Sequence, residues 1–265
     1  MADGPGRDAH AETGRPRARS VHVRGGGTLL APVQRAAEAF MAEEAGMIVP
    51  VAAGSTVRGI RAVIDGTAHV GMASAEIDAD LRKQAATRGV RLAVHPLGHD
   101  GIVACVHPGN PVDDLGIEQL RRIYTGDITN WKDAGGPDLP IAVLSFDPLS
   151  GTFESWRAMV LGDESITPKV SIVEIGRIKA RIAQTPGAIG YLAHSLLDGS
   201  IKALAIDGVG ATPESIGNGT YALRRALNLV TADPPDEATA RFIAFMRHPD
   251  RGQRHLARVG NVPLR

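Results

Sequence analysis

The sequence predicts an α/β protein of two lobes, each a sheet covered by helices. Three observations predict it. Strand-like and helix-like segments alternate through the first hundred residues, the pattern of a largely parallel sheet with covering helices. A chain of 265 residues is long for a single core. Three turns share one design, glycine with serine or threonine directly before a helix, and they recur far apart in the chain.

Residues 21–23 (VHV) read as a short strand, followed by Gly25, Gly26 and Gly27, with Thr28 at the N-cap of a helix. Behind it Leu29, Leu30, Val33, Ala36, Ala37, Phe40 and Met41 repeat at helical spacing. A strand, a glycine turn and a helix start present bare N–H groups at a positive helix end, which suits an anion. Residues 47–51 are β-like and lead into a second small-residue turn, AAGSTVRG at 52–59, before a helix that Asp65-Gly66 stops. Residues 69–72 read as a buried strand ending in Ala73-Ser74-Ala75, 79–89 as a helix closed by Gly89, and 90–96 as the next strand.

From Gly101 the texture changes. Residues 102–106 form a continuous apolar strand ended by the turn HPGNP at 107–111. A helix at 116–124 turns Leu120, Ile123 and Tyr124 inward and is followed by the loop TGDITNW at 125–131. After a strand at 141–144, the third turn, LSGT at 149–152, opens a helix carrying Phe153, Trp156, Met159 and Val160. Further strands are expected at 188–192, 202–206 and 221–231, and further helices at 175–184, 235–247 and 250–258.

Composition excludes several classes. With 29 basic and 29 acidic residues the formal charge is zero, so no large field points to nucleic acid or an anionic membrane. An aromatic share of 4% argues against base-stacking platforms. The single cysteine, Cys105, lies in the apolar run GIVACV and reads as buried and inert. No apolar run approaches the roughly 18 residues of a membrane span. Residues 1–20 are polar, carry four arginines and lack an apolar centre, so they read as a disordered leader and not as a signal peptide.

The turns Gly25-Gly26-Gly27-Thr28, Gly54-Ser55-Thr56 and Ser150-Gly151-Thr152, with Ser74 at another strand end, would make a donor-rich pocket for a tetrahedral oxyanion. Strand ends of an open α/β sheet converge where strand order reverses, and ligands sit there. Catalytic patterns are missing: there is no GxxxxGK[ST] loop, GxSxG elbow or HExxH pair. His95, His99 and His107 read as surface or hinge residues. No nucleophile–base pair can be nominated, so the chain reads as a non-enzyme with no catalytic residue, metal or cofactor.

Over residues 21–263 the chain resembles the phosphate-binding proteins of ABC transporters, which have the type II periplasmic-binding-protein fold. The most specific pieces are TGDITNWKDAGGPD (125–138), HPGNPVDDL (107–115), PGAIGYL (186–192), IKALAIDGVGATPESI (201–216) and YALRRALNLVT (221–231). The resemblance implies two α/β lobes, each a mixed sheet flanked by helices, joined by two crossover strands and closing on one anion. It assigns residues 21–96 and 221–265 to one lobe and 97–220 to the other. Closure would bring Gly27, Thr28, Ser55 or Thr56, and Ser74 against Ser150, Gly151 and Thr152.

The chain departs from the family pattern in its pocket. Gly26 stands at a serine position, Ala75 where the family has Arg or Asp, and Phe146 where it commonly has arginine. Losing two bonds to a charged group, at roughly 1.5–3 kcal/mol each, weakens phosphate binding by roughly two to four powers of ten. Arg24 or Arg58 would restore a positive charge, Glu76, Asp78 or Asp147 would accept the proton of HPO4, and Phe146 would offer an apolar wall. The resemblance implies a monomer in the periplasm or elsewhere outside the cytoplasm, delivering phosphate or a similar small anion to ABC transporter membrane subunits. The leader leaves a cytoplasmic placement open. Two alternatives remain: a changed specificity for another oxyanion or an organic ligand, and a sensor that signals through the same jaw.

Overall fold

The computed structural model describes residues 19–148 and 150–264. The expected leader lies outside them except at its end, where β1 (Arg19–Ser20) pairs with a later strand. β2 (Val23–Gly26) continues through the first glycines instead of ending before them. Gly25 permits this: its φ is +141°, and a Cβ there would stand 2.3 Å from the Met72 carbonyl oxygen. Only glycine lets β2 pass so close to its neighbour.

A single 3-10 turn, Gly27–Leu29, leads into α1 (Leu30–Glu43), which buries Pro32, Val33, Ala36, Ala37 and Phe40. β3 (Met47–Ile48) and β4 (Val51–Gly54) precede α2 (Thr56–Ile64), whose N-cap is Ser55, its hydroxyl accepting from the Arg58 amide. β5 (Val70–Ala73) is wholly buried, and α3 (Ala79–Thr87) is capped by Asp78.

The chain then runs through β6 (Leu92–Val106), 15 residues long, where two separate strands were expected. Polar His99 and Asp100 break the apolar pattern but not the backbone ladder, which continues through both. β7 (Asp114–Leu115), α4 (Ile117–Thr125) and β8 (Ala142–Ser145) follow. α5 (Gly151–Trp156) is capped by Ser150 and widens into a π-type turn through Leu161. Next come β9 (Ser171–Ile172), α6 (Ile178–Ala183), β10 (Ala188–Ala193), β11 (Lys202–Ala203) and β12 (Ala205–Ile206).

α7 (Pro213–Asn218) was not expected, although Thr212 as N-cap and Pro213 inside the first turn are start signals. β13 (Arg224–Ala232), α8 (Glu237–Arg247), α9 (Arg254–Arg258) and β14 (Val262–Pro263) complete the chain.

Strand order along the main sheet is β4-β2-β5-β13-β6-β10-β8-β9, with β11 and β14 also on β6. β2 runs parallel to β4 and β5, so the turns after these three strands emerge at one edge. β8 and β10 are likewise parallel, and β6 is antiparallel to both β13 and β10. β6 therefore serves both halves.

Among the described residues the apolar interior divides the same way. One set runs from Val21 to Leu97 and from Leu227 to Leu256, with a smaller group around Ile60 and Val230 beside it. The other runs from Ile102 to Leu223 and stacks Trp156 on Tyr191 with ring centroids 4.0 Å apart.

Candidate functional site

A cavity of about 590 Å³ lies between the two halves. Its polar end is built from Gly27, Thr28 and Gly54 on one side and Ser150, Gly151 and Thr152 on the other. Two of the three sequence turns thus meet across it, joined by the end of the strand that feeds the third.

Ser74 follows β5 and is fully buried, just behind the cavity lining. A Cβ added at Gly26 would stand 3.2 Å from its Oγ, and one added at Gly151 3.3 Å. That hydroxyl has no hydrogen-bond partner. A buried hydroxyl without a partner is unfavourable unless something bonds to it. The Ser74 amide donates to Thr56 Oγ1 at 3.2 Å, so Thr56 braces this residue from behind.

Ser55 and Arg58 stand apart from the cavity lining. Ser55 is spent on the α2 cap, and Arg58 is exposed on that helix. Arg24 is exposed as well.

Thr28 does not cap α1. It lies inside the 3-10 turn, and Thr28 Oγ1 accepts a hydrogen bond of 3.0 Å from Arg225 Nη2. Its own proton remains to be donated. Arg225 is 5% exposed and is paired with Asp100 through Nη2–Oδ2 at 2.6 Å and Nε–Oδ2 at 3.1 Å. The cation behind the polar end is therefore Arg225, which the sequence reading passed over. A signal for it existed: leading into and along β13 the buried alternate positions are Leu223, Arg225, Leu227 and Leu229, an arginine on an otherwise apolar face.

Phe146 is not a wall of the cavity. It is 2% exposed and packs edge-on against Tyr191 at 5.2 Å, because the strand end turns it inward to the second core. Of the carboxylates named as proton acceptors, Asp78 accepts the Leu81 amide at 2.7 Å. A carboxylate beside the polar end is Glu154, whose Oε2 is 3.9 Å from the Cβ position of Gly151. Partial burial, with the Asp78 charge adding to it, holds the Glu154 carboxyl above its usual range.

The remainder of the cavity is mainly apolar, with Pro32, Ile175, Ala193, Leu196 and Val259 among its lining, together with Ser195 and Arg258. His95 Nε2 lies 2.9 Å from Thr231 Oγ1, and His107 Nδ1 accepts the Gly109 amide, so both are engaged away from this site.

Comparison with known proteins agrees with this architecture. The model of the PBP superfamily domain matches residues 10–249. The phosphate-binding protein PstS of Bacillus subtilis (strain 168) is 28% identical over 246 residues, covering 92% of this chain and 81% of that protein. A structure from Clostridium perfringens, described as a phosphate ABC transporter substrate-binding protein with bound phosphate, is 31% identical. It superposes with a TM-score of 0.80, covering 93% of this chain and all of that one. An ABC-type phosphate transport receptor from Vibrio cholerae gives a TM-score of 0.84 at 26% identity, over 92% of this chain.

The fold and cleft are those of a two-lobed solute-binding protein of the type II periplasmic-binding-protein class. The chain belongs to the PBP superfamily, among the substrate-binding proteins of phosphate ABC transporters. Among the described residues no helix is long and apolar enough to cross a membrane.

Proposed function

We propose that this chain captures phosphate or a related small oxyanion between its lobes and delivers it to the membrane subunits of an ABC transporter. On this reading residues 21–96 and 221–265 form one lobe and 97–220 the other, with β6 and the approach to β13 as the crossovers. The protein acts as a monomer outside the cytoplasm, as binding proteins of this family do, and performs no catalysis.

The observation that carries the reading is the Ser74 hydroxyl, buried without a partner between Gly26 and Gly151. Around it, Gly27, Thr28, Gly151 and Thr152 supply amides and hydroxyls at two chain turns. Arg225 supplies positive charge through Thr28, which makes Thr28 a better donor to an anion. The arginine absent at position 146 is thus offset from the opposite lobe.

The test is calorimetric and thermal titration of the full chain with inorganic phosphate, sulfate, arsenate and molybdate. A ligand at a hundred times its Kd adds about 2.7 kcal/mol, or roughly 5–11 °C in Tm for this size. Thr152→Ala should weaken the effective anion by roughly 10- to 150-fold, the equivalent of one hydrogen bond to a charged group. Silence to every oxyanion, or unchanged affinity in both Thr152→Ala and Ser74→Ala, would remove this reading.

A further inference from the structure

The cavity holds more than its polar end needs. At about 590 Å³ it falls within the 300–1,000 Å³ of sites that enclose organic ligands, whereas a bare oxyanion has five heavy atoms. The extra volume is not that of a fully open jaw, because the halves touch beside the polar end. There Ser155 Oγ lies 3.1 Å from the Ser74 carbonyl oxygen. Beside the crossover strand β6, His194 Nδ1 lies 3.4 Å from the Gly260 carbonyl oxygen, and a Cβ on Gly260 would meet Ser195 Cα at 3.1 Å.

Most of what lines the extra volume is apolar, with Ser195 and Arg258 beside it. Pro32 and Val259 come from one half, Ala193, Leu196 and Ile175 from the other. Two of these lining residues, Ile175 and Leu196, are 50% and 43% exposed. Singly exposed apolar residues are ordinary, but two that line the same cavity form a surface that an apolar group would cover.

Resting on the oxyanion reading above, we propose that the preferred ligand is an oxyanion bearing a short apolar substituent, the class of alkylphosphonates and alkyl phosphate monoesters. The phosphoryl oxygens take the polar end at Thr28, Ser74 and Thr152. The alkyl group runs along Pro32, Ile175, Leu196 and Val259. Specificity then comes from an apolar arm that bare phosphate leaves unfilled.

The experiment is isothermal titration of the full chain with inorganic phosphate and with methyl-, ethyl-, propyl- and butylphosphonate. Kd should fall about fourfold for each methylene added, the equivalent of about 0.8 kcal/mol per buried CH2. In the double variant Ile175→Ser/Leu196→Ser that increment should shrink towards one. Both positions are exposed, so the variant should fold, and circular dichroism would check it. Phosphate binding with a flat or falling alkyl series would overturn the proposal and leave the oxyanion reading intact. Failure of phosphate and of every phosphonate to bind would overturn both.

Discussion

Arg225 and Asp100 face each other across β13 and β6, directly paired in register, and Arg225 reaches past Asp100 to the hydroxyl of Thr28. One buried cation therefore ties both strands to a turn of the ligand cavity. Asp100 Oδ1 and Arg225 Nη1 have no partners, so the pair is incompletely satisfied. Such a pair contributes little net stability compared with apolar packing, but removing one member leaves the other charge buried alone.

Arg225→Met should therefore cost about 3–5 kcal/mol. For a chain of this size that is a fall in Tm of roughly 6–20 °C, read by thermal denaturation. Arg225→Met/Asp100→Leu should recover much of it, since neither charge is then stranded. Any anion binding should stay impaired in the double variant, because Thr28 has lost its cationic partner. A double variant as unstable as the single one would contradict this account.

Phe146→Arg looks, by alignment with the family pattern, like a way to restore a phosphate contact. The structure predicts the opposite. The ring is buried against Tyr191, so the change removes aromatic packing worth about 3–5 kcal/mol and places a charge in that buried position. Loss of soluble protein or a fall in Tm is expected, and phosphate affinity should not rise. Tighter phosphate binding by a stably folded Phe146→Arg protein would show that the side chain can reach the cavity.

Glu154 gives a pH dependence. Its carboxyl is held above the ordinary 4.5, first by burial and then by the charge of Asp78. The native state thus binds its proton more tightly than the unfolded chain. The associated stability is complete below about pH 4.5 and is lost as pH rises through the elevated native value. Glu154→Gln keeps the neutral form, so its stability relative to wild type should increase across that window and level off above it. Denaturation midpoints at several pH values would check this; a constant difference at every pH would contradict it.

Much of the scaffold was legible because its signals are local. Alternating strand and helix patterns, Ser55 and Ser150 in small-residue turns directly before helices, and the buried run from Ile102 to Val106 all follow from spacing and short-range bonds. The three hydroxyl turns were visible for the same reason. What escaped the sequence depends on contacts across the chain. Thr28 looks like a cap until Arg225, 197 residues away, is placed beside it. Position 146 sits beside a binding turn, yet which way its side chain faces depends on packing against Tyr191. Two strands were read at 90–96 and 102–106 because Asp100 interrupts the apolar pattern, and the residue that accommodates it lies on β13. The apolar arm of the cavity is assembled from four separated segments and has no pattern in any one of them.

Cys105 sits in β6 with no exposed surface, its Sγ 3.5 Å from the Val103 carbonyl oxygen, and burial pushes its thiol above the usual range. Because β6 threads both cores, this one sulfur cannot meet a reagent until the strand has left the interior. The rate at which a thiol reagent modifies it under native conditions thus reports how often that strand is exposed. The natural chain thereby carries its own chemical clock for opening, and a bound anion that holds the two halves together should slow it.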